Sequence, residues 1–304
     1  MNTKIKLWIV GSIGIDDIKT KSADKKNLLG GSLPFSTIAA SFFAKTGAVG
    51  VVGSDFPAAF DRKWSRFGID LSGVQREPGA TFRWGCEYDP NMIERKTLRT
   101  ELGVFERFSP SLPAAYKKAP FILLGNIQPD LQSYVLDQAE APKFVALDTM
   151  DFWMETALPA LKKIIKRVDL ITINDSEARR LSGKWNLRDC AAEILKLGPK
   201  YVAIKKGEHG AMLFTKDDIA IIPAYPVKTL ADPTGAGDTY AGAFMGYLAK
   251  AGAVTPALLR DALLAASVVA SFGVEKFSVD RFASLGSAEI KSRLAELRRM
   301  MKHD

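Results

Sequence analysis

Residues 231–244, ADPTGAGDTYAGAF, combine three glycines with two acidic residues where a loop gives way to a helix of small residues. From Gly235 to Gly237 the backbone N–H groups are unobstructed, and a helix predicted over 238–249 follows; such an N-terminus attracts anions. An aspartate beside a phosphate is electrostatically unfavourable, so its presence there indicates a chemical role. Asp238 is placed to accept a proton from a hydroxyl that attacks a phosphoryl group. The segment therefore indicates kinase chemistry.

A structural interpretation of the same segment is open as well. Asp238 is also a residue type that caps a helix after a glycine turn, and a cap needs no chemistry. The sequence contains neither GxxxxGK[ST] nor, in this loop, GxGxxG, so the common P-loop and dinucleotide-binding loops are excluded.

Short apolar runs that are rich in β-branched residues alternate with helical periods along the chain. The runs predict strands over 6–11, 48–53, 121–125, 144–148, 169–174, 201–207 and 211–214. The periods predict helices over 34–46, 55–67, 130–139, 155–167, 175–182 and 188–197. Strands that are apolar throughout and separated by helices form a mainly parallel sheet covered on both faces. We expect an α/β, doubly wound fold in one domain spanning 1–304.

Two polar segments interrupt this alternation. Residues 14–31 and 81–102 have the character of exposed, alternating strand pairs inserted between core elements. We expect them to form a small β-sheet lid over the carboxyl ends of the core strands, where doubly wound sheets bind ligands.

Composition limits the class of protein. The net charge of +8 suits an anionic partner such as a nucleotide, but its basic patches fit solvated helix faces and no basic and aromatic array predicts nucleic-acid binding. Cys86 and Cys190 lie far apart, which argues against a disulfide framework or a zinc site. No apolar run approaches the ~20 residues of a membrane span. We expect a cytoplasmic protein with no membrane or nucleic-acid partner.

The segment DPTGAGDTYAGAFM resembles, position for position, the second signature of the PfkB family of carbohydrate and nucleoside kinases, the ribokinase-like group. The similarity extends over nearly the whole chain: GSIGIDD near the start, LLGGSLPFSTIAASF at the family's glycine pair, NDSEARRLSG at its Asn-x-x-Glu motif, and KKGEHGAMLF at its Gly-x-x-Gly segment. The resemblance implies a doubly wound domain with a β lid, which the alternation and its interruptions predict independently.

The resemblance implies roles for the nucleotide side of the site. Asp238 is the catalytic base, and the amides of Gly235, Ala236 and Gly237 form the anion hole for the transferring phosphoryl group. Asn174 and Glu177 match the motif that helps hold hydrated Mg²⁺ against ATP. Without the family, these two residues fit a strand-end turn and a surface helix.

Other residues on that side keep two interpretations. Asp232 matches a family residue near a monovalent-cation (K⁺) site, but it also suits a turn before a proline. Gly207 and Gly210 match the segment that lets the nucleotide approach the backbone. Lys205 either reaches a phosphate oxygen or points into solvent. We expect no catalytic role for His209, which follows in an exposed turn.

The substrate side departs from the family pattern. Asp16 matches the acid that binds substrate hydroxyls, and Gly30 and Gly31 match the glycine pair that passes close to the substrate. Beyond the pair, the Lys of ribokinase is replaced by a serine and the usual Asn by Phe35. With Phe82 and Trp84 on the lid, Phe35 forms either a stacking wall suited to a nucleobase or a packing contact between lid and core.

Three hypotheses about function follow. The first, which we favour on the sequence, is an ATP-dependent sugar kinase, and the second is a nucleoside kinase of adenosine-kinase type. The third is a catalytically silent sensor, and the intact Asp238, Asn174 and Glu177 argue against it. The resemblance further suggests a homodimer formed through the lid. The sequence does not name the substrate.

Overall fold

The computed structural model describes residues 4–302 of the chain. The strands are β1 (Leu7–Val10), β2 (Gly14–Lys19), β3 (Asp24–Gly30), β4 (Thr46–Gly53), β5 (Asp70–Glu77), β6 (Phe82–Tyr88), β7 (Arg95–Glu101), β8 (Phe121–Leu124), β9 (Phe144–Asp148), β10 (Leu170–Asn174), β11 (Tyr201–Lys205), β12 (Ala211–Phe214) and β13 (Ile219–Ile222). The helices are α1 (Ser32–Ser41), α2 (Ala58–Ser65), α3 (Pro129–Leu136), α4 (Asp151–Thr156), α5 (Leu158–Ile165), α6 (Asp175–Ser182), α7 (Leu187–Leu195), α8 (Ala236–Ala251), α9 (Pro256–Gly273) and α10 (Ser287–Met300). Short 3-10 turns cover Gly103–Arg107, Gly207–His209 and Phe282–Ser284.

Nine strands form the main sheet, in the order β13-β12-β11-β10-β9-β8-β1-β4-β5. Its pairs are parallel except for β11 with β12 and β12 with β13, which are antiparallel. Successive strand residues point to opposite faces: Leu7 and Ile9 enter one apolar cluster, while Trp8 and Val10 enter the other. Each face is therefore covered by its own core, and the predicted doubly wound architecture is confirmed.

Four strands form the second sheet, in the order β3-β2-β6-β7. Strands β2 and β3 lie within the predicted insertion 14–31, and β6 and β7 lie within 81–102. The β2–β6 pair is parallel, and the two outer pairs are antiparallel. Only Ile18, Cys86 and Tyr88 are fully buried in the apolar cluster of this sheet. The small lid sheet predicted from the two polar segments is confirmed.

Helix α9 has the length and composition of a membrane span by hydropathy, and 61% of its 18 residues are buried inside the protein. It packs along α8, the helix that follows the glycine-rich loop. Burial of this kind is typical of the core helix of a globular fold, because an apolar helix must cover its surface against neighbouring elements.

Candidate active site

Three polar residues are the last residues of neighbouring parallel strands, so they lie together at the carboxyl end of the main sheet. Asp148 ends β9, Asn174 ends β10 and Lys205 ends β11, and the register pairs Asn174 with Lys205. Lys205 Nζ lies 2.9 Å from Asp148 Oδ1, and Thr172 Oγ1 donates a hydrogen bond to the same oxygen at 2.9 Å. Both charged side chains are largely buried. The interpretation of Lys205 as a solvent-directed side chain is therefore wrong.

Lys205 keeps its positive charge in this setting. Burial tends to lower the pKa of Lys205, but the charges of Asp148 and Glu177 outweigh burial and hold the pKa above its usual value. A Cβ built on Gly237 would lie 3.1 Å from Lys205 Nζ, so the ammonium group stands beside the first turn of α8. A buried cation and a helix N-terminus thus converge on one point, which suits an anion.

The loop before α8 takes its shape from Gly235. This residue has φ +74° and forms the N-cap of α8. A Cβ there would lie 2.4 Å from Cγ of Phe35, so only glycine fits over the aromatic ring. Phe35 is 2% exposed and supports the loop from beneath. Of the two interpretations of Phe35, the structure therefore favours packing, since the ring has no free face for a substrate.

Asp238 lies in the first turn of α8 and is half-buried. Desolvation and the nearby charge of Asp148 raise the pKa of its carboxyl to about 7, while Lys205 and Arg95 act in the opposite direction. A carboxyl with a pKa near neutrality exchanges protons readily at physiological pH. The arrangement is chemically able to accept a proton beside a bound anion.

Asn174 and Glu177 form the capping box of α6. The Glu177 N–H donates to Asn174 Oδ1 at 2.8 Å, and the Asn174 N–H donates to Glu177 Oε2 at 2.8 Å. Burial raises the pKa of Glu177 to about 7, although Lys205 lowers it. Glu177 is therefore a buried residue near the Lys205 and Asp148 pair. The alternative interpretation of Glu177 as a residue of a surface helix is wrong.

The carboxylates of this site suit Mg²⁺ better than a metal ion that is enclosed entirely by protein ligands. Within residues 4–302, no group of three His, Cys, Asp or Glu side chains could enclose a metal ion. Magnesium usually keeps several waters and binds one or two carboxylates together with substrate phosphates. Glu177 and Asp148, next to the anion-attracting end of α8, fit that pattern.

The Gly-x-x-Gly segment forms a turn directly after β11. Gly207 has φ +55°, and a Cβ there would meet no atom within 4 Å, so its backbone borders open space. Gly210 is fixed by packing, because a Cβ would lie 2.1 Å from the carbonyl oxygen of Ile222. His209 is exposed, with 74% of its side chain accessible. Close approach of a nucleotide at Gly207 stays a prediction.

Asp232 ties the loop to the segment after α9. Its Oδ1 accepts from the Thr234 N–H at 2.9 Å, and its Oδ2 accepts from the Ser278 N–H at 3.2 Å. Ser278 Oγ in turn donates to the carbonyl oxygen of Leu29, at the end of lid strand β3. These contacts account for Asp232 as a turn-forming residue, and its role at a cation site stays a prediction.

On the substrate side, Asp16 and the glycine pair lie where the lid meets the body. A Cβ on Gly30 would lie 1.9 Å from Asp16 Oδ2, so the glycine makes room for the carboxyl. Gly31 has φ +84° and is the N-cap of α1. Asp16 is buried, and its Oδ1 has no hydrogen-bond partner among the described residues. Burial raises the pKa of Asp16 to about 8, despite the Gly31 amide.

Lid side chains reach across to the loop. Trp84 is half-buried in the lid, opposite Asp16 in the β2–β6 register, and the Arg95 guanidinium lies 5.5 Å from its ring centroid. The hydroxyls of Tyr88 and Thr234 lie 3.0 Å apart in a hydrogen bond. Phe82 packs on Phe105 at 5.6 Å between centroids. The lid therefore contacts the anion-attracting loop directly.

Sequence reasoning missed Asp148, Tyr88 and Arg95. A signal existed for Asp148, because it ends an apolar core strand as Asn174 and Lys205 do, and ligands bind at the carboxyl ends of such strands. Tyr88 and Arg95 gave no comparable signal, since Tyr88 bonds to a residue 146 positions later and Arg95 acts through its charge on Asp238.

Known proteins resemble this chain in sequence and fold. A cytidine kinase of Thermococcus kodakarensis is 29% identical over 248 residues, 79% of this chain and 87% of that protein. Curated ribokinases and fructokinases match over about a third of the chain.

Solved structures give the same picture for the fold. A nucleoside kinase of Methanocaldococcus jannaschii has a TM-score of 0.77 at 19% identity, covering 96% of this chain and 99% of that one. A fructokinase of Vibrio cholerae, in its fructose, ADP and calcium-bound form, has a TM-score of 0.79 at 18% identity, covering 96% and 100%. At these identities the likeness shows the ribokinase-like fold alone.

The pfkB family carbohydrate kinase profile matches residues 16–283, which include the lid, the ends of the core strands and the glycine-rich loop. This match covers most of the chain, and we conclude that the chain belongs to the pfkB family of carbohydrate kinases.

Proposed function

We propose that this chain is an ATP- and Mg²⁺-dependent kinase that phosphorylates a hydroxyl of a nucleoside. The observation that carries the phosphoryl-transfer part is the convergence of Asp238, the amide end of α8 and the Lys205–Asp148 pair at one point. Kinases of this family use ATP and Mg²⁺. The nucleoside as acceptor rests on a different observation, the extent of the cytidine kinase match.

The proposed step assigns a task to each group. The substrate hydroxyl oxygen attacks the γ-phosphorus of ATP, its proton passes to Asp238, and the electron pair of the breaking P–O bond leaves with ADP. The amides of Gly235, Ala236 and Gly237 face the charge that develops on the phosphoryl oxygens. Lys205 balances the charge of the phosphates from the side of the sheet.

Glu177, which is hydrogen-bonded to Asn174, would hold the hydration shell of Mg²⁺. Asp148 lies near Glu177. The ion would neutralise phosphate charge when bound. For binding the ion, the protein provides the carboxylates of Glu177 and Asp148, which are shielded from water and held in a fixed orientation. The capping box holds one Glu177 oxygen against the Asn174 N–H, so the carboxyl plane is set before any ion arrives.

Two observations favour a nucleoside over a free sugar. The cytidine kinase match spans 79% of the chain, whereas curated sugar kinases match over about a third. Trp84 is half-buried on the lid opposite Asp16, so a base attached to a sugar held by Asp16 would lie within the lid's reach. A sugar, which the sequence alone favoured, is the second candidate, because Asp16 suits any pair of adjacent hydroxyls.

The decisive experiment is an ADP-release screen with ATP and Mg²⁺ over nucleosides, pentoses, hexoses and sugar acids. We expect turnover with at least one nucleoside at a kcat/KM well above that for any free sugar. Turnover with a sugar and none with cytidine, adenosine or inosine would replace the nucleoside proposal by the sugar proposal. No turnover with any acceptor would contradict kinase function as such.

We expect Trp84→Ala to raise the KM for the nucleoside about three- to tenfold, because stacking contributes on the order of 0.5–1.5 kcal/mol beyond area burial. Activity on free ribose should change little. The measurement is the KM for both acceptors in the same assay, with Phe82→Ala as the control, since Phe82 packs on Phe105. Equal losses on both acceptors from Trp84→Ala would indicate disturbed lid packing instead of base stacking.

Three further expectations concern the surroundings of the enzyme. A monovalent cation near Asp232, a homodimer through the lid and a cytoplasmic location stay predictions. The outer edge of the lid is strand β7, which is exposed along its whole length and carries three basic residues. Activity titrations with K⁺ and Na⁺ and sedimentation analysis test the first two.

A further inference from the structure

Arg95 is a cation of the lid that has no acidic partner within residues 4–302. Within the same range, several basic residues of the lid are paired, Lys19 with Glu87, Arg83 with Asp55 and Arg99 with Glu101, whereas the exposed Lys25 and Lys96 are not. Arg95 makes no salt bridge there, and its guanidinium instead lies over the Trp84 ring at 5.5 Å from the centroid. An aromatic face leaves the N–H groups along the edge of the guanidinium available to a ligand.

The lid holds Arg95 near the glycine-rich loop. In the β6–β7 register, Arg95 stands opposite Tyr88. Tyr88 reaches the loop through its hydrogen bond with Thr234, one residue before Gly235. The strand segment that carries Arg95 is therefore tethered to the same loop that presents the backbone amides to an anion.

The charge of Arg95 acts within the site. Asp148, Lys205 and Arg95 are the charged groups with the largest effects on Asp238, and Asp16 also interacts with it; Arg95 lowers the pKa of the Asp238 carboxyl. Lys205 approaches from the strand ends of the body, whereas Arg95 approaches from the lid. One cation of the body and one cation of the lid thus act on the carboxyl in the first turn of α8.

We propose that Arg95 is a catalytic residue whose guanidinium binds the γ-phosphoryl oxygens during transfer when the lid covers the site. The inference rests on the proposed kinase function. In transfer, charge spreads over three equatorial oxygens while the acceptor oxygen bonds to phosphorus and ADP departs. A planar guanidinium contacts two such oxygens together, which a single ammonium group does not. Arg95 and Lys205 then stabilise the migrating group from both sides.

The test compares Arg95→Gln, Arg95→Lys and the control Lys96→Gln, using the acceptor identified by the ADP-release screen. Lys96 is the exposed neighbour on the same strand. We expect Arg95→Gln to lower kcat by about 100-fold or more, with the KM for the acceptor changed less than about threefold. Arg95→Lys should recover part of the loss, and Lys96→Gln should stay within about twofold of wild type.

Two additional readouts separate catalysis from structure. Binding of a non-hydrolysable ATP analogue should weaken less than about tenfold in Arg95→Gln, because the contact forms chiefly in the transition state. The acidic limb of the kcat/KM profile should move to higher pH, since Arg95 no longer opposes the effect of Asp148 on Asp238.

The outcomes are distinguishable from those of the proposed function. An active wild type together with unchanged kcat in Arg95→Gln would overturn this inference and leave the kinase proposal intact. A loss confined to the KM of the acceptor would also overturn it and would make Arg95 a substrate-binding residue. A wild type without phosphotransfer to any acceptor would overturn both.

Discussion

Replacing Asp238 by Asn is expected to lower kcat by about two to four orders of magnitude, the usual range for loss of a general base. The amide keeps the shape of the carboxyl but accepts no proton from the attacking hydroxyl. Affinity for ATP should stay the same or rise slightly, because a negative charge beside the phosphates is removed. Single-turnover rates and binding of an ATP analogue give the two quantities separately.

The control for this variant is Asp218→Asn, which changes an exposed carboxyl that lies in the turn between β12 and β13 and is paired with Arg260. It should retain wild-type kcat. Turnover near the wild-type value in Asp238→Asn, with the control equally active, would exclude Asp238 as the base.

The same assignment fixes the sign of the pH dependence. The pKa of Asp238 is raised to about 7, and the base must be unprotonated to act. The kcat/KM of the enzyme should therefore fall as the pH decreases through about 7. The residual activity of Asp238→Asn should lose this limb. Glu177 also has a pKa of about 7 and Asp16 one of about 8, so Glu177→Gln and the residual activity of Asp16→Asn must both keep the limb if Asp238 is its source.

Replacing Asp16 is expected to have the second large effect. The acceptor hydroxyls would bind Asp16, whose Oδ1 is buried without a partner among the described residues. Removing the carboxyl leaves two buried acceptor hydroxyls without a partner, which costs about 1–3 kcal/mol each, so kcat/KM of Asp16→Ala should fall about 30-fold or more on every acceptor. The measurement is kcat/KM on nucleosides and sugars in parallel. Asp17→Ala, next in sequence, is the control, and unchanged activity of Asp16→Ala on any good acceptor would contradict the assignment.

Stability provides an independent readout for the Asp16 site. Its pKa is raised from 3.8 to about 8, so the folded state binds the proton more tightly than the unfolded state. The carboxyl is therefore compatible with folding below about pH 4 and increasingly destabilises the fold as the pH rises to 8. Asp16→Asn should be at least as stable as wild type at pH 8, and any advantage should shrink toward pH 4. A less stable Asn variant at pH 8 would show that the carboxylate is held by compensating contacts.

The fold was largely predictable because its local signals agree with each other. Helix α6 begins and ends where the sequence predicts, since Asn174 and Glu177 cap one end and Gly183 closes the other in the left-handed conformation. The edge strands β5 and β13 were missed. Strand β5 is half-exposed and lacks the continuous apolar run of buried parallel strands, and β13, although apolar, has only four residues. The helix predicted over 155–167 is two helices, which meet at Ala157 before Pro159.

The site was less predictable than the fold, because its decisive contacts join distant parts of the chain. The resemblance assigned Asp238 and Glu177 to one site and left Lys205 between a phosphate contact and solvent. It gave no account of Phe35, whose ring lies under a glycine 200 residues later in the sequence. The role of Asp148 was not predicted for the same reason, since it depends on contacts with Lys205 and Thr172 on other strands of the sheet. Periodicity predicts which face of an element is buried, but not which side chain it will meet there.

The small apolar cluster of the lid predicts that the lid opens separately from the main sheet. Ile18, Cys86 and Tyr88 are its only fully buried members among the described residues, whereas both faces of the main sheet carry extensive cores. In native-state hydrogen exchange, amides of β2, β6 and β7 should therefore exchange through local opening while those of the central strands β1 and β8 exchange only through global unfolding. Occupancy by an acceptor should slow exchange in the lid strands and leave the protection of the central strands unchanged. The increase in hydrogen-exchange protection of each lid amide on acceptor binding then measures the free energy of closing the lid.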